Sequence, residues 1–300
     1  MTENTPKLLR DYCLSLEEVF YKRDHKPELP LITLDSINKI IWGIPKKKMT
    51  IIAGRTSHAK STMAINIAYD LAKQGHSVLF MSLEMSAESI LERIFCYEKK
   101  VPNIDIQRGK FNQYLSEWAE FKQFVSKIPF VLDNNIGRTI KEIHSYLNQL
   151  DRKPEVLIID HIQEIETIGI DKKDSIDKYL KNMRELAIKN NFAFICCSQI
   201  NRMTQDEKDK RPRLHQLKCS GAIEEMADLV LLLYWHYQYD KTADIGKFEL
   251  NIAKNRDGMT GFVDLRYFPQ FCRFEDVKDE SVILEKQIVK QAFNEVDFDE

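Results

Sequence analysis

The sequence predicts an α/β fold in which a mainly parallel central sheet is covered on both faces by helices. Three observations lead there. Short apolar runs alternate with helix-patterned segments from about residue 49 onward, the signature of strands joined by helical crossovers. Several of those runs, such as VLIID and LVLLLY, are apolar almost throughout rather than at every second position, as strands buried on both faces require. A loop containing glycine and lysine, GRTSHAKST, joins the first run to the first helical segment. A chain of 300 residues with 43% apolar content can bury one such core and carry appendages.

Taken in order, Thr5 and Pro6 read as an N-cap and first helical position, and Leu9, Cys13, Leu16 and Phe20 then form one apolar stripe. The spacing predicts a short amphipathic helix, marginal in water until its stripe is covered. Pro27 and Pro30 in HKPELP end it, leaving a tether. Strands are expected at 50–53, 78–82, 130–133, 156–160, 192–198 and 229–234, with helices over 61–74, stopped by Gly75, and over 175–189. KFELNIAKNRDGMTGFVDLRYF then gives two β-type runs around turn residues 255–258, a hairpin or strand pair. From about 276 the chain mixes apolar residues with acidic ones and closes on Glu295, Asp297, Asp299 and Glu300, the texture of an interaction tail. The expected organisation is a linker helix and tether (1–29), one α/β core (30–275) and the tail (276–300).

Composition narrows the classes. Lys and Arg number 44 against 46 Asp and Glu, net −2, so nucleic-acid contact must come from local patches. The apolar run at 228–234 is far below the roughly 20 residues that span a bilayer, and MTENTPK holds no apolar signal core. No membrane is expected, and the cytosol is the expected compartment. The six cysteines include no C-x-x-C pair, so neither a zinc site nor a disulfide framework is expected.

The opening loop matches the phosphate-binding pattern G-x-x-x-x-G-K-[ST] at every fixed position but one: Ala59 stands where the second glycine belongs. Gly54, Arg55, Thr56, Ser57, His58, Ala59, Lys60, Ser61 and Thr62 therefore form the candidate nucleotide site. Backbone N–H groups and a helix N-terminus can surround phosphate oxygens there. Lys60 reaches the β- and γ-phosphates, and Ser61 offers a hydroxyl to Mg²⁺. The Ala59 methyl is a modest obstacle if its φ is negative and a serious one if positive. VLIID carries Asp160 to the end of its strand, where a carboxylate can hold Mg²⁺ directly or through water. MSLEM puts Glu84 at the same edge as a candidate base for water, with a solvated or helix-capping glutamate as the alternative. Gln199, after Ser198, ends a further strand there with an amide able to sense a phosphate. Four strand ends converge on one edge.

These stretches, with VLFMSLEMSAESILERI, VLIIDHIQ, SQINR, KRP, LKCSGAIEEMADLVLLLY and AKNRDGMTG in order, resemble the C-terminal ATPase domain of DnaB-type replicative helicases. The likeness spans roughly residues 30–275. It implies a RecA-like P-loop NTPase fold assembled as a homo-oligomeric ring, a hexamer, with ATP and Mg²⁺ at subunit interfaces and single-stranded DNA in the channel. Primase, polymerase or loader proteins are the implied further partners. The family usually carries an N-terminal primase-binding domain; only the short helix is expected ahead of the core here, its stripe docking on an adjacent subunit or on its own domain.

Residue by residue, the resemblance assigns Lys60 and Ser61 to phosphate and Mg²⁺, Glu84 to water activation and Asp160 to Mg²⁺. Gln199 couples nucleotide state to DNA contact, and Lys254 and Arg256 act as cations on a neighbouring subunit's γ-phosphate. Arg202, Arg211 and Arg213 lie in a basic segment that is either a solvated loop or a phosphate contact. Lys218, Cys219 and Gly221 match the family's DNA-gripping loop, with Lys218 in place of an arginine and Cys219 in place of an acidic residue. His161 stands where tyrosine is common and carries no assigned role. A helicase motor is the leading function; another RecA-like ATPase of recombination or signalling and a nucleotide-binding adaptor are the alternatives.

Overall fold

The computed structural model describes residues 27–134, 139–150, 153–165, 172–200, 209–217 and 220–277. The expected N-terminal helix, the tail from 278 and the expected DNA contacts Arg202, Lys218 and Cys219 lie outside these residues.

Among the described residues, one nine-stranded sheet organises the chain. Its strands are β1 (Met49–Gly54), β2 (Val78–Ser82), β3 (Phe130–Asp133), β4 (Val156–Asp160), β5 (Ala193–Gln199), β6 (Leu229–Trp235), β7 (Lys247–Asn255), β8 (Gly261–Phe268) and β9 (Arg273–Asp276). The order across the sheet is β3-β2-β4-β5-β1-β6-β7-β8-β9. The first six pair in parallel and the last three are added antiparallel. The helices are α1 (Asp35–Ile41), α2 (Lys60–Lys73), α3 (Ala87–Lys99), α4 (Asn103–Gln107), α5 (Leu115–Val125), α6 (Ile140–Gln149), α7 (Lys172–Asn190) and α8 (Ser220–Met226).

The apolar runs are explained by two cores, one on each face of the sheet. Side chains alternate faces along a strand, and the burial follows that period. Ile158, Ile195, Cys197, Leu231 and Leu233 enter the core beneath α2, α3 and α5. Leu157, Ile159, Phe194, Cys196, Val230 and Leu232 enter the opposite core beneath α6, α7 and α8. Helix α2 is buried at every position from Thr62 to Ala72, which is why its polar residues need partners inside the protein. Asn66 supplies one: its amide donates to Cys272 O at 2.9 Å and accepts from Phe274 N at 2.8 Å.

That bond positions an element the sequence pattern did not announce. The expected strand pair after Tyr234 is a three-stranded antiparallel extension, because β9 adds to β8 and docks on α2. Asp276, the last residue of β9, accepts from Ser36 N at 3.2 Å, next to α1. Elsewhere the expected strands at 78–82, 130–133 and 156–160 have the observed limits, and the others shift by a residue or two at their ends. Local capping sets helix starts: Ser86 accepts from Ser89 N ahead of α3, and Thr139 and Glu142 form a reciprocal capping box at α6. No described helix is long and apolar enough to cross a membrane.

Candidate active site

Helix α2 begins without a side-chain cap, since Ala59 occupies its N-cap position. Its first-turn N–H groups are left for an external acceptor, and the helix dipole favours an anionic one. The loop before it bends through two left-handed residues, Ser57 at φ 64° and Ala59 at φ 55°. The serious form of the Ala59 objection is therefore the one observed. Its cost is conformational, roughly 1 kcal/mol for alanine in this region, while the residue itself packs at the border of the apolar core.

The loop is held from outside by the turn after β6. Arg55 Nη1 donates to the Tyr239 hydroxyl at 3.0 Å, Gln238 Nε2 donates to Ser57 O at 3.2 Å, and the His58 and Tyr239 rings lie 5.4 Å apart. His58 Nδ1 sits 3.1 Å from Thr56 O. Burial, with Arg55 and Lys60 nearby, pushes His58 down to about 4 despite that carbonyl, so the loop's interior holds a neutral ring at pH 7. These contacts over-determine the bend and explain how a non-glycine persists in it. Ala59→Gly is accordingly expected to raise the melting temperature by about 2 °C, the equivalent of roughly 1 kcal/mol in a domain of this size. Nucleotide affinity should change by no more than about tenfold. Differential scanning fluorimetry and a fluorescent-ADP titration check both, and a lowered melting temperature contradicts the strain argument.

A cavity of about 250 Å³ opens over this loop, lined by Thr56, Ser57, Ala59, Lys60, Ser61, Glu84, Met85, Arg93, His161 and Gln199. Apart from Arg93, those residues lie at or just after the ends of the parallel strands β1, β2, β4 and β5, on one edge of the sheet. Glu84 follows β2 on a turn closed twice by Ser82, whose hydroxyl donates to Met85 O at 2.8 Å and accepts from Met85 N at 3.0 Å. Leu83 N donates to Asp160 O at 2.7 Å, joining the ends of β2 and β4. Gln199 closes β5; its Nε2 donates to Thr56 Oγ1 at 2.7 Å, and its backbone N donates to Gln163 Oε1 at 3.1 Å. It touches the Gly54–Thr62 loop directly.

Asp160 is 1% exposed, and its Oδ1 has no hydrogen-bond partner among the described residues. An orphaned carboxylate oxygen at the end of β4 fits a hard cation, which prefers oxygen ligands and keeps several waters. Ser61, on the first turn of α2, provides a second oxygen at the same edge.

Two polar lining residues carry no role in the sequence reading. Arg93 reaches the cavity from α3 and donates through Nη1 to Thr62 Oγ1 at 3.1 Å. His161 is buried, with Nδ1 3.0 Å from Glu84 Oε2. An arginine mid-helix has no local signature; for His161 the signal was its departure from the commoner tyrosine.

Lys254 and Arg256 are elsewhere. Antiparallel pairing puts Asn255 beside Leu229, whereas Gly54 lies beside Leu233. The two levels are about 13 Å apart along the strands and two strand spacings, about 10 Å, across them. The cations sit at the N-terminal edge of the parallel strands, opposite the cavity, and bind the end of α8. Lys254 Nζ donates to Glu224 O, and Arg256 donates to Glu225 O and, at 3.1 Å, to Asp228 Oδ1. Cations are favourable at a helix C-terminus. Burial would raise the Asp228 carboxyl, but Arg184, Met49 N–H and Arg256 together hold it below the usual range. Burial, reinforced by Arg256, lowers Lys254.

The described basic residues of the 201–219 segment divide. Arg211 is engaged, donating to Glu249 Oε1 at 2.8 Å and lying over the Tyr234 ring. Arg213 is more exposed, with Asp209 3.7 Å away. Gly221 lies in α8, whose far end Lys254 and Arg256 cap.

The comparisons with known proteins agree with this architecture. Residues 32–276 match the family described as DnaB-like helicase C terminal domain. The chain is 29% identical over 259 residues to a probable replicative DNA helicase of Trieres chinensis, covering 81% of this chain and 55% of that protein. It is 27% identical over 252 residues to the replicative DNA helicase DnaC of Bacillus subtilis (strain 168), covering 81% and 55%. The chain thus spans about half the length of these curated relatives. A solved DnaB-like replicative helicase, described with its interactions with primase, superposes at a TM-score of 0.83 with 21% identity, over 90% of this chain and 69% of that one. A second solved structure, an ATPase domain on its own, superposes at 0.80, also at 21% identity, over 91% and 100%. The fold is the RecA-like α/β fold, and with the family match covering most of its length, the chain belongs to the DnaB-like helicase C-terminal domain family.

Proposed function

We propose that this chain is the ATP-hydrolysing motor of a ring-shaped DNA helicase that translocates on single-stranded DNA during replication. The observation that carries the reading is the division of the chemistry between two sheet edges. Lys60, Ser61, Glu84 and Gln199 line one cavity, while Lys254 and Arg256 lie at the opposite edge. A site of this kind is completed only when a second copy brings its cations to the first copy's cavity, which a closed ring of identical subunits, a hexamer here, achieves at every interface.

In this mechanism the uncapped N-terminus of α2 and Lys60 bind the phosphates of ATP. Ser61 and Asp160 would hold Mg²⁺, which would supply positive charge against the phosphate oxygens. Glu84 takes a proton from the attacking water. Arg256 and Lys254 of the neighbouring subunit stabilise the charge that develops on the γ-phosphoryl oxygens. Gln199, bonded to Thr56 and followed by the 202–218 segment and the LKCSG stretch, links the occupied cavity to DNA contact through Arg202, Arg211, Arg213, Lys218, Cys219 and Gly221. The names of the relatives motivate the replicative setting, and the solved relative described with primase motivates that partner; polymerase or loader partners and a cytosolic location rest on the sequence reading alone.

The test is ATP turnover with and without oligo-dT, alongside native mass spectrometry. Stimulation by the oligonucleotide in a closed oligomer is expected. Full-rate hydrolysis by a monomer indifferent to DNA overturns the reading.

A further inference from the structure

Glu84 is 56% exposed in its side chain and forms no ion pair with a described lysine or arginine. A carboxylate in that position samples many orientations, and a base works best when it is aimed before the water arrives. The neighbouring cavity wall holds the group able to aim it. His161 is 5% exposed and follows the last residue of β4. Its backbone is tied down where its carbonyl accepts from Glu164 N at 3.0 Å. Its Nδ1 lies 3.0 Å from Glu84 Oε2 yet makes no aligned hydrogen bond with any described group, while Nε2 is 3.5 Å from Glu164 Oε1, outside hydrogen-bond range. A buried ring nitrogen without a partner calls for an explanation, and the nearest acceptor is the oxygen of the proposed base.

We propose that His161 is a positioning residue for Glu84. Its Nδ1–H donates to Glu84 Oε2 after a small rotation of the exposed glutamate and leaves Oε1 to accept the proton of the attacking water. The imidazole neither gains nor loses a proton in this role; it restricts the carboxylate. The proposal rests on Glu84 being the base.

The experiment uses the full chain, assembled with oligo-dT and Mg²⁺-ATP, and compares His161→Phe, His161→Asn, His161→Gln, Glu84→Gln and the His161→Phe/Glu84→Gln double variant. His161→Phe should lower kcat about 30-fold while KM and the Kd for a fluorescent ADP change less than about threefold, because only the aim of the base is lost. Asparagine places an amide nitrogen where Nδ1 stood, so His161→Asn should stay within about fivefold of the parent. Glutamine reaches the Nε2 place instead and should behave like phenylalanine. In the Glu84→Gln background, His161→Phe should cost no more than a further factor of about two, since two residues acting through one group are not additive. The idea fails if His161→Phe turns over within threefold of the parent. It fails equally if the loss multiplies fully in the Glu84→Gln background, or if nucleotide binding or assembly falls in parallel with kcat, which marks a purely structural ring. Should His161→Phe not fold, the asparagine and glutamine variants decide alone, and equal activities overturn the proposal. A Glu84→Gln variant that itself turns over at the parent rate removes the base, a failure distinguishable from that of His161.

Discussion

Arg256→Ala is expected to lower ATP turnover of the assembled protein by about 1000-fold, the scale on which a guanidinium supplied to a phosphoryl-transfer site acts. Within one chain Arg256 binds Asp228 and the end of α8 at the edge of the sheet opposite the cavity. A loss of that size is therefore expected from a contact with a neighbouring subunit. Arg184 also pairs with Asp228, through Nη2 at 3.1 Å, so the buried carboxylate keeps a partner when Arg256 is truncated and the fold should survive. Mixing separates the explanations. Lys60→Ala subunits lack a competent phosphate loop but keep Arg256, and Arg256→Ala subunits are the reverse. In randomly mixed rings about one interface in four joins an intact loop to an intact arginine, and activity should reappear although both parents are inactive. Subunits must exchange and interfaces must fire independently for rescue, so assembly is measured alongside by native mass spectrometry. A protein that remains monomeric with ATP and single-stranded DNA, yet hydrolyses at full rate, refutes the shared site.

Glu84→Gln should reduce turnover by about 100-fold or more and leave ATP binding near its original strength, because the amide keeps the shape of the side chain and loses its basicity. The turn that presents residue 84 is closed by Ser82 and does not depend on the carboxylate, so the substitution should leave the cavity's other walls in place. Single-turnover hydrolysis and a fluorescent-nucleotide titration separate chemistry from binding. Unchanged turnover removes Glu84 from the mechanism, whatever the fate of the shared-site prediction.

Much of this molecule is legible in short stretches of its sequence. VLFMS and VLIID give strands with the observed limits, because a continuous apolar run of that length has few other ways to be buried; FVLD also has the observed limits, as an edge strand only partly covered. GRTSHAKST between a strand and a helix marks the phosphate loop, and because parallel strands present their C-terminal ends to one edge, Glu84, Asp160 and Gln199 were expected to gather there. Tertiary structure alone decided the rest. The loop that holds Ala59 at a left-handed φ is tied at Arg55 and Ser57 to Tyr239 and Gln238, about 180 residues away, which no local pattern reveals. Strand β9 docks where Asn66, on the buried stretch of α2, satisfies its amide against Cys272 O and Phe274 N. Arg93 and His161 join the cavity through packing rather than through a motif of their own. The hairpin carrying Lys254 and Arg256 could be read from its turn, but its place at the far edge follows from the antiparallel register of β6 and β7. Local sequence determines which backbone conformations and which buried faces are cheapest over a few residues. Which distant side chains then meet is settled by the packing of the whole sheet, where each buried polar group must find its partner.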